Sequence, residues 1–369
     1  MKQTFDALIL GGGPAGTAAA LTLSRAGRRV ALLERSAYDQ PRIGETLPPE
    51  ICLPLQRLGV WKRFCEDGHL AASGILGCWG SAEPFEHDFI FGPYGCGWHV
   101  ARARFDQMLA DAAQAAGATV WLSTAVQNCQ WDGASQWRVT AQRAGQSLAL
   151  QAPWVIDAAG RSGSPGHGAA RYQRFDCLIG CVAFLTARPG ASLAEMRTVI
   201  EACAEGWWYS APLPDGKCVV ALMSDVDLLP KDAQSLANFY WRGLAETTLT
   251  KRWLAGYQAS AAPRRFAAHT SFRTSVAPQR LAAGDAALAY DPLSSQGVLK
   301  GLTHGEQSAM ALLAAQTGEP NALSGYANAL TRELQRYWQR RCYYYRAEPR
   351  WPQSPFWQRR QRAASINAT

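Results

Sequence analysis

The chain has no apolar run approaching the ~18 residues of a membrane span, no Cys-x-x-Cys pair and no two histidines at metal-ligand spacing. The first absence argues against a membrane-spanning helix and a membrane partner. The apolar opening is broken by Gly11, Gly12, Gly13 and Pro14, so it reads as a strand and not as a leader peptide. The expectation is a cytoplasmic protein. Ten cysteines are scattered, with only Cys177 and Cys181 close together. They read as buried thiols, neither a disulfide framework nor a zinc site, and no metal is expected. There is no repeat and no low-complexity tract, and 369 residues give room for two or three lobes with their own cores.

Lysine is scarce, and arginine supplies most of the net charge of +8. The excess gathers in residues 332–362, interleaved with Tyr337, Trp338, Tyr343, Tyr344, Tyr345, Trp351, Phe356 and Trp357. Such a mixture can bind nucleic acid, but no nucleic-acid motif accompanies it. The expectation is a partner polypeptide or an intramolecular cap, with no nucleic acid.

What is present begins at once. Residues 5–10 read as an apolar strand, 11–16 as the turn Gly-Gly-Gly-Pro-Ala-Gly, 17–27 as a helix, and 29–34 as a second strand ending in Glu34. Gly11 allows a tight turn, Gly13 lets a phosphate approach the backbone, and Gly16 lets helix and strand pack closely. Pro14 and Ala15 open the helix, whose amides and dipole favour an anion. Glu34, followed by Arg35, is placed to accept ribose hydroxyls. The spacing therefore predicts a dinucleotide site.

Residues 280–287 repeat the logic, a strand ending in Gly284-Asp285. Asp285 is a candidate for a ribityl hydroxyl. Residues 291–297, Asp-Pro-Leu-Ser-Ser-Gln-Gly, read as a turn opening a helix over 297–316. The amides of Ser295, Gln296, Gly297 and Val298 would face the cleft and favour negative charge there. Residues 50–63 and 102–116 read as helices. Residues 73–79, 89–91, 118–122, 137–141 and 148–156 read as strands, and 175–276 as a β-rich lobe.

The glycine turn with Glu34, Arg102-x-x-Phe-Asp-x-x-Leu109, residues 156–160 (Ile-Asp-Ala-Ala-Gly) and Gly284-Asp285 together resemble the flavoprotein monooxygenase superfamily of the p-hydroxybenzoate hydroxylase-like fold. Residues 42–48 resemble the Gly-Glu loop of its tryptophan halogenase-like branch. Residues 206–213 resemble that branch's Gly-Trp-x-Trp-x-Ile-Pro-Leu motif, with Tyr209 and Ala211 as departures. Flavin halogenases carry a site lysine in the strand after the Gly-Glu helix, and residues 73–79 hold none. Residues 44–49, 79–81, 97–99, 206–209, 291–297, 348–351 and 356–360 together resemble LodB/GoxB/QhpG-type flavoproteins of tryptophylquinone cofactor biogenesis.

The resemblance implies an α/β (α+β) fold. Its FAD-binding Rossmann-like βαβ domain would be discontinuous (1–72, 101–172, 277–322), with an inserted β-rich substrate domain (73–100, 173–276) and a C-terminal helical tail (323–369). It implies FAD, with O2 and a transient electron donor, NAD(P)H or a flavin reductase. It also implies oxygen insertion through a flavin C4a-hydroperoxide into a tryptophan of a partner polypeptide. The alternative is a small-molecule hydroxylase or halogenase. Arg42 and Arg102 are candidates for the cofactor phosphates or ring edge. Glu45 and His99 are candidate acid–base groups, each weighed against a structural role, and Ser295 and Gln296 are placed at the reacting ring. Trp79, Trp98, Trp207, Trp208 and Tyr209 are candidates for the substrate cleft.

Overall fold

The computed structural model of the chain describes residues 3–166, 171–191, 195–273 and 279–362. Its centre is a five-stranded parallel sheet in the order Arg280–Ala282, Trp154–Asp157, Ala7–Leu10, Val30–Leu33, Thr119–Trp121. Strand alternation sorts the layers. Ala7, Ile9 and Leu32 pack with helices Pro14–Arg25 and Gly297–Gln316. Leu8, Leu10, Ala31 and Leu33 pack with Cys129, Trp137 and Val139 of a four-stranded, mostly antiparallel sheet on the other face. Both faces are covered, which is why these strands read as continuous apolar runs. The two helices approach closely because small residues line the contact: a Cβ on Gly305 would lie 2.1 Å from the Ala15 carbonyl oxygen.

Three elements differ from their sequence expectation. The strand expected over 148–156 divides into Gln146–Ala152 and Trp154–Asp157, which belong to different sheets. Pro153 lies between them and cannot donate to a ladder, so the chain changes sheet there. The helix expected over 50–63 is three short pieces, broken at Gly59 with φ +59°. Residues 89–91 form a 3₁₀ turn.

The inserted lobe is one large sheet in the order Tyr257–Ala259, Leu178–Ala187, Lys217–Asp225, Gly206–Pro212, Thr198–Cys203, Gly74–Cys78, Phe85–Asp88. Strand Gly97–His99 instead pairs with Thr46–Leu47 and Leu70–Ala72, so segment 73–100 is shared between two bodies. The expected boundary at 277 and the tail's last residues, 363–369, lie outside the described residues.

Helices Ala322–Arg346 and Pro355–Gln361 close the lobe. Tyr345, Phe356 and Trp357 share a core with Trp207, Val219 and Met223. Tyr337 and Trp338 pack with Leu288 and Tyr290. Arg360 grips buried Asp225 at 2.6 Å, and Arg359 reaches its other oxygen at 2.9 Å. Tyr337, Trp338, Tyr345, Phe356 and Trp357, with Arg341 and Arg360, are thus used inside the chain as a cap, while Arg332, Arg336, Arg340, Tyr343 and Tyr344 remain exposed. Among the described residues no helix is long and apolar enough to cross a membrane.

Candidate functional site

A cavity of about 750 Å³ runs between the parallel sheet and the inserted lobe. Its first end is the glycine turn. Gly11 has φ +106°, and a Cβ there would meet the Ala158 carbonyl oxygen at 2.4 Å. On Gly16 a Cβ would lie 1.8 Å from the Gly11 oxygen, whereas on Gly13 it would meet no atom within 4 Å. The turn is closed at two glycines and open at the third, which leaves its amides room for a phosphate. Gly11, Gly13, Pro14 and Ala15 line the cavity, and Gly16 packs behind them. Gly16→Ala must displace the turn. An overpacking cost of about 1–3 kcal/mol predicts dinucleotide binding weaker by about 10–100-fold, checked by flavin titration.

Glu34 ends the second strand and is buried. Its Oε1 accepts from the Ser36 amide (2.9 Å), the Ser36 hydroxyl (2.7 Å) and Arg42 (2.8 Å), and its Oε2 accepts from the Gly12 amide at 2.7 Å. Burial raises its pKa, but these hydrogen bonds and the Arg42 charge bring it below the usual range. The carboxylate therefore braces the turn and still lines the cavity. Arg35 is exposed at the rim.

Arg42 and Arg102 converge on fully buried Asp106. Arg42 Nη1 donates at 3.1 Å, and Arg102 donates from Nε at 3.2 Å and Nη2 at 3.1 Å. Arg102 Nη1 also donates to the Ile43 carbonyl at 2.7 Å. Gly44 next to it has φ +103°, and a Cβ there would lie 2.5 Å from that nitrogen. Both guanidinium groups line the cavity while fixing the loop that presents Glu45.

Glu45 is buried on the cavity wall. Its Oε2 accepts from the Gly44 amide at 2.9 Å, and its Oε1 has no hydrogen-bond partner. Burial pushes its pKa up to about 7, opposed only in part by backbone hydrogen bonds and the Arg102 charge. This is a carboxyl group that exchanges a proton at neutral pH. It is not a helix cap: Thr46 beside it lies in a strand paired with His99.

His99 is absent from the residues that line the cavity. Its Nε2 bonds the Met196 carbonyl at 2.9 Å, and Nδ1 lies 3.2 Å from the Thr46 hydroxyl, which also bonds the Tyr209 hydroxyl at 2.7 Å. Burial pulls the ring's pKa down to about 4. The imidazole is a neutral strut for Thr46 and Tyr209, with no nitrogen left for a substrate.

At the other side of the cavity, Gly284 and Asp285 line the wall. Asp285 is paired with Lys300 at 2.7 Å and Arg161 at 3.4 Å. Burial opposes its charge, but the two cations outweigh it and hold its pKa at about 2. Lys300 also donates to the Leu288 carbonyl and sits 4.3 Å from the Tyr290 ring centroid. Arg161 and Lys300 have no part in the sequence expectation. Arg161 directly follows the Ile-Asp-Ala-Ala-Gly strand end. Lys300 sits among the apolar residues of its helix, between Val298 and Leu302, and such a lysine needs a buried partner. Lys300→Met leaves Asp285 with Arg161 alone. Breaking a buried pair costs about 3–5 kcal/mol, so a loss near 3 kcal/mol is expected by denaturant titration, with Lys300→Arg recovering part.

The turn before helix Gly297–Gln316 completes the wall. Ser295 has φ +50°, and Ser295, Gly297 and Val298 line the cavity while Gln296 does not. Asp291 anchors the turn: its Oδ1 accepts from the Leu293 amide at 3.0 Å and its Oδ2 from the Tyr345 hydroxyl at 2.7 Å. The Asp291 amide donates to the Tyr337 hydroxyl at 2.8 Å. The C-terminal helix therefore holds the cavity wall directly.

Of the expected cleft aromatics only Tyr209 lines the cavity, joined by Phe266 and Tyr290. Trp207 donates to the Tyr345 hydroxyl at 3.0 Å, Trp208 packs on Tyr240, Trp79 donates to the Tyr344 carbonyl at 2.7 Å, and Trp98 stacks edge-on to Phe64. Trp207 and Trp208 are core side chains, and Trp79 and Trp98 are half-buried against the core. The cations lining the cavity are all arginines, with no lysine among them. Cys177, Asp225 and Asp227 come within metal-ligand reach of one another, but Arg359 already bonds Asp225 and Asp227, with Cys177 Sγ 3.7 Å away.

The elongated cavity, the open Gly13 cradle and the carboxylates at both ends fit a dinucleotide of the FAD type. The profile of the FAD binding domain family matches residues 4–181. LodB of Marinomonas mediterranea, named provisionally as an FAD-dependent oxidoreductase, is 32% identical over 370 residues, covering 97% of each chain. The flavin-dependent halogenase CmlS has a similar structure, with TM-score 0.86 and 26% identity over 98% of this chain and 68% of its own. QhpG, titled a peptidyl tryptophan dihydroxylase essential for tryptophylquinone cofactor biogenesis, has TM-score 0.79 and 23% identity over 99% of this chain and 80% of its own. A full-length relative at this identity, on a cavity built for a dinucleotide, settles the family: the chain is an enzyme of the LodB-like FAD-dependent oxidoreductases, within the flavoprotein monooxygenase superfamily.

Proposed function

We propose that this enzyme hydroxylates a tryptophan side chain of a partner polypeptide during tryptophylquinone cofactor biogenesis. The observation that carries the reading is the chemistry of the cavity wall: a buried carboxyl group, Glu45, with one oxygen that has no hydrogen-bond partner, and no lysine among the lining residues. The full-length kinship to LodB and the shared fold with QhpG support it.

The bound FAD supplies O2 activation, and the chain supplies placement and proton transfer. The balance is one O2 and two electrons with their protons in, one oxygen on the indole carbon and one leaving as water. The electrons come from NAD(P)H or a separate reductase, since the chain has no second dinucleotide fingerprint. The Gly13 turn, Glu34 and Asp285 would hold the cofactor, and the amides at Ser295, Gly297 and Val298 would stabilise negative charge on its ring. The Glu45 carboxyl would take the proton that the substituted indole carbon must lose.

The likeness to CmlS favours a second reading, halogenation or hydroxylation of a small molecule. The test is turnover with FAD, a reductase and NADH on a tryptophan-containing polypeptide, with and without bromide. Oxygenated tryptophan in both conditions is expected. A brominated product would establish the second reading.

A further inference from the structure

The large sheet of the inserted lobe ends in strand Phe85–Asp88, which pairs with Gly74–Cys78 on one side; among the described residues no strand pairs its other side. Natural edges are usually blunted by short length, charged side chains, proline or a bulge. This strand is four residues long, Phe-Glu-His-Asp, directly after Pro84, with regular register, and both of its charges are acidic, so it favours a partner strand that brings cations. The 3₁₀ turn that follows leaves Ile90 81% and Phe91 90% exposed, with Phe85 and Tyr94 also exposed. An apolar cluster of this kind beside an open sheet edge marks an interaction site.

The charge of the region is also distinctive. The protein carries a net charge of +8, yet between Arg63 and Arg102 it has no lysine or arginine and five acids. At the edge itself Glu86, Asp88 and Glu195 share one guanidinium: Arg197 lies 2.7 Å, 3.8 Å and 2.6 Å from them. Glu83 adds a further exposed acid.

We infer that this edge strand and its apolar turn dock the substrate polypeptide, which adds as an extended strand carrying lysine or arginine beside its apolar side chains. The inference rests on the reading that the substrate is a polypeptide. Main-chain hydrogen bonds would give affinity, and alternate side chains would meet the apolar cluster and the acids. Position agrees with function. Three strand spacings of about 4.8 Å separate the edge from strand Gly206–Pro212, so Tyr209 on the cavity wall lies on the order of 14 Å away. A docked chain lies one spacing further out, about 19 Å away, and where it leaves the edge at ~3.3 Å per residue about six residues cover that distance, enough to deliver a tryptophan to the cavity mouth. A second copy would bring two acidic edges together, and an anionic membrane would be repelled, so neither occupant is favoured.

The test uses the FAD-loaded enzyme and two synthetic probes, a peptide of alternating valine and lysine around one tryptophan and its glutamate-for-lysine counterpart. The lysine peptide should bind at least about tenfold tighter, with affinity falling as salt rises. Ile90→Asp with Phe91→Asp should weaken it by about tenfold or more with the flavin spectrum unchanged, and Glu86→Lys should shift preference toward the glutamate peptide. Equal affinity of the two peptides, or unchanged affinity in both variants, would overturn the proposal. So would a wild-type dimer, or binding to anionic vesicles, that the double variant abolishes while peptide affinity is kept. Binding at the edge without oxidation of the peptide's tryptophan would uphold the docking surface and sink the proposed reaction alone.

Discussion

Glu45→Gln will lower turnover by about 10²–10⁴-fold, the usual contribution of a positioned acid–base group, while the enzyme stays yellow and binds FAD as before. The amide keeps the shape of the side chain but cannot take a proton. Wild-type turnover should rise with pH through a limb near 7, where burial has placed the carboxyl. The variant should lose that limb. Stability supplies an independent check. In the folded chain the carboxyl titrates at about 7, in the unfolded chain near its model value of 4.5. Between those values the unfolded state has released the proton and the folded state has not, so wild-type stability falls as pH rises. The cost is then constant above 7, and a shift of this size corresponds to roughly 3 kcal/mol. Glu45→Gln should therefore be relatively more stable than wild type at pH 8, with the advantage gone below pH 4.5. Denaturant titrations at the two pH values check this; a pH-independent difference would mean that Glu45 is paired and ionised throughout.

Truncation after Gln335 will remove the fold, not merely a partner contact. The lost segment contains Tyr345, Phe356 and Trp357, all buried with Trp207 and Met223. At about 3–5 kcal/mol for each large aromatic, these three alone amount to on the order of 10 kcal/mol, against a total stability of about 5–15 kcal/mol. The truncate should be insoluble or unfolded by circular dichroism. Tyr345→Phe separates folding from site support. It removes the hydroxyl that donates to Asp291 and accepts from Trp207, at a cost of about 1.5–3 kcal/mol, and loosens the turn at Ser295. Weaker FAD binding in a folded protein is the expected result. A folded, flavin-binding truncate would refute the account of the tail.

The parts of the site that are local in sequence are the legible ones. The roles of Gly11, Gly13 and Gly16 follow from backbone sterics: Gly11 takes a positive φ, Gly16 meets the Gly11 oxygen within the turn, and only the close approach of Ala158 to Gly11 comes from far along the chain. Glu34 is legible as an acid at a strand end, but not its bond to the Gly12 amide, which depends on how tightly the turn closes. Pro153 is a local signal for the change of sheet. The rest depends on partners far along the chain. His99 looks like a candidate base until Met196, 97 residues on, takes its Nε2. Trp79 and Trp207 look like a cleft until the tail's Tyr345 and Trp357 pack on them, and Trp208 until Tyr240 does. Phe266 lies on a short strand with no motif, and only the fold brings it to the cavity. Lys300 was detectable in principle, as a charge on an apolar helix face, though nothing in the pattern names Asp285 as its partner.

The central claim, oxygen transfer to a tryptophan of a partner polypeptide, is met most directly by mass spectrometry. A candidate partner that carries the target tryptophan is produced with and without this enzyme, and the tryptophan-bearing peptide is compared. The account predicts a gain of one or two oxygen atoms on that residue only when the enzyme is present, lost with Glu45→Gln. An unmodified tryptophan, or one carrying a halogen, would contradict it.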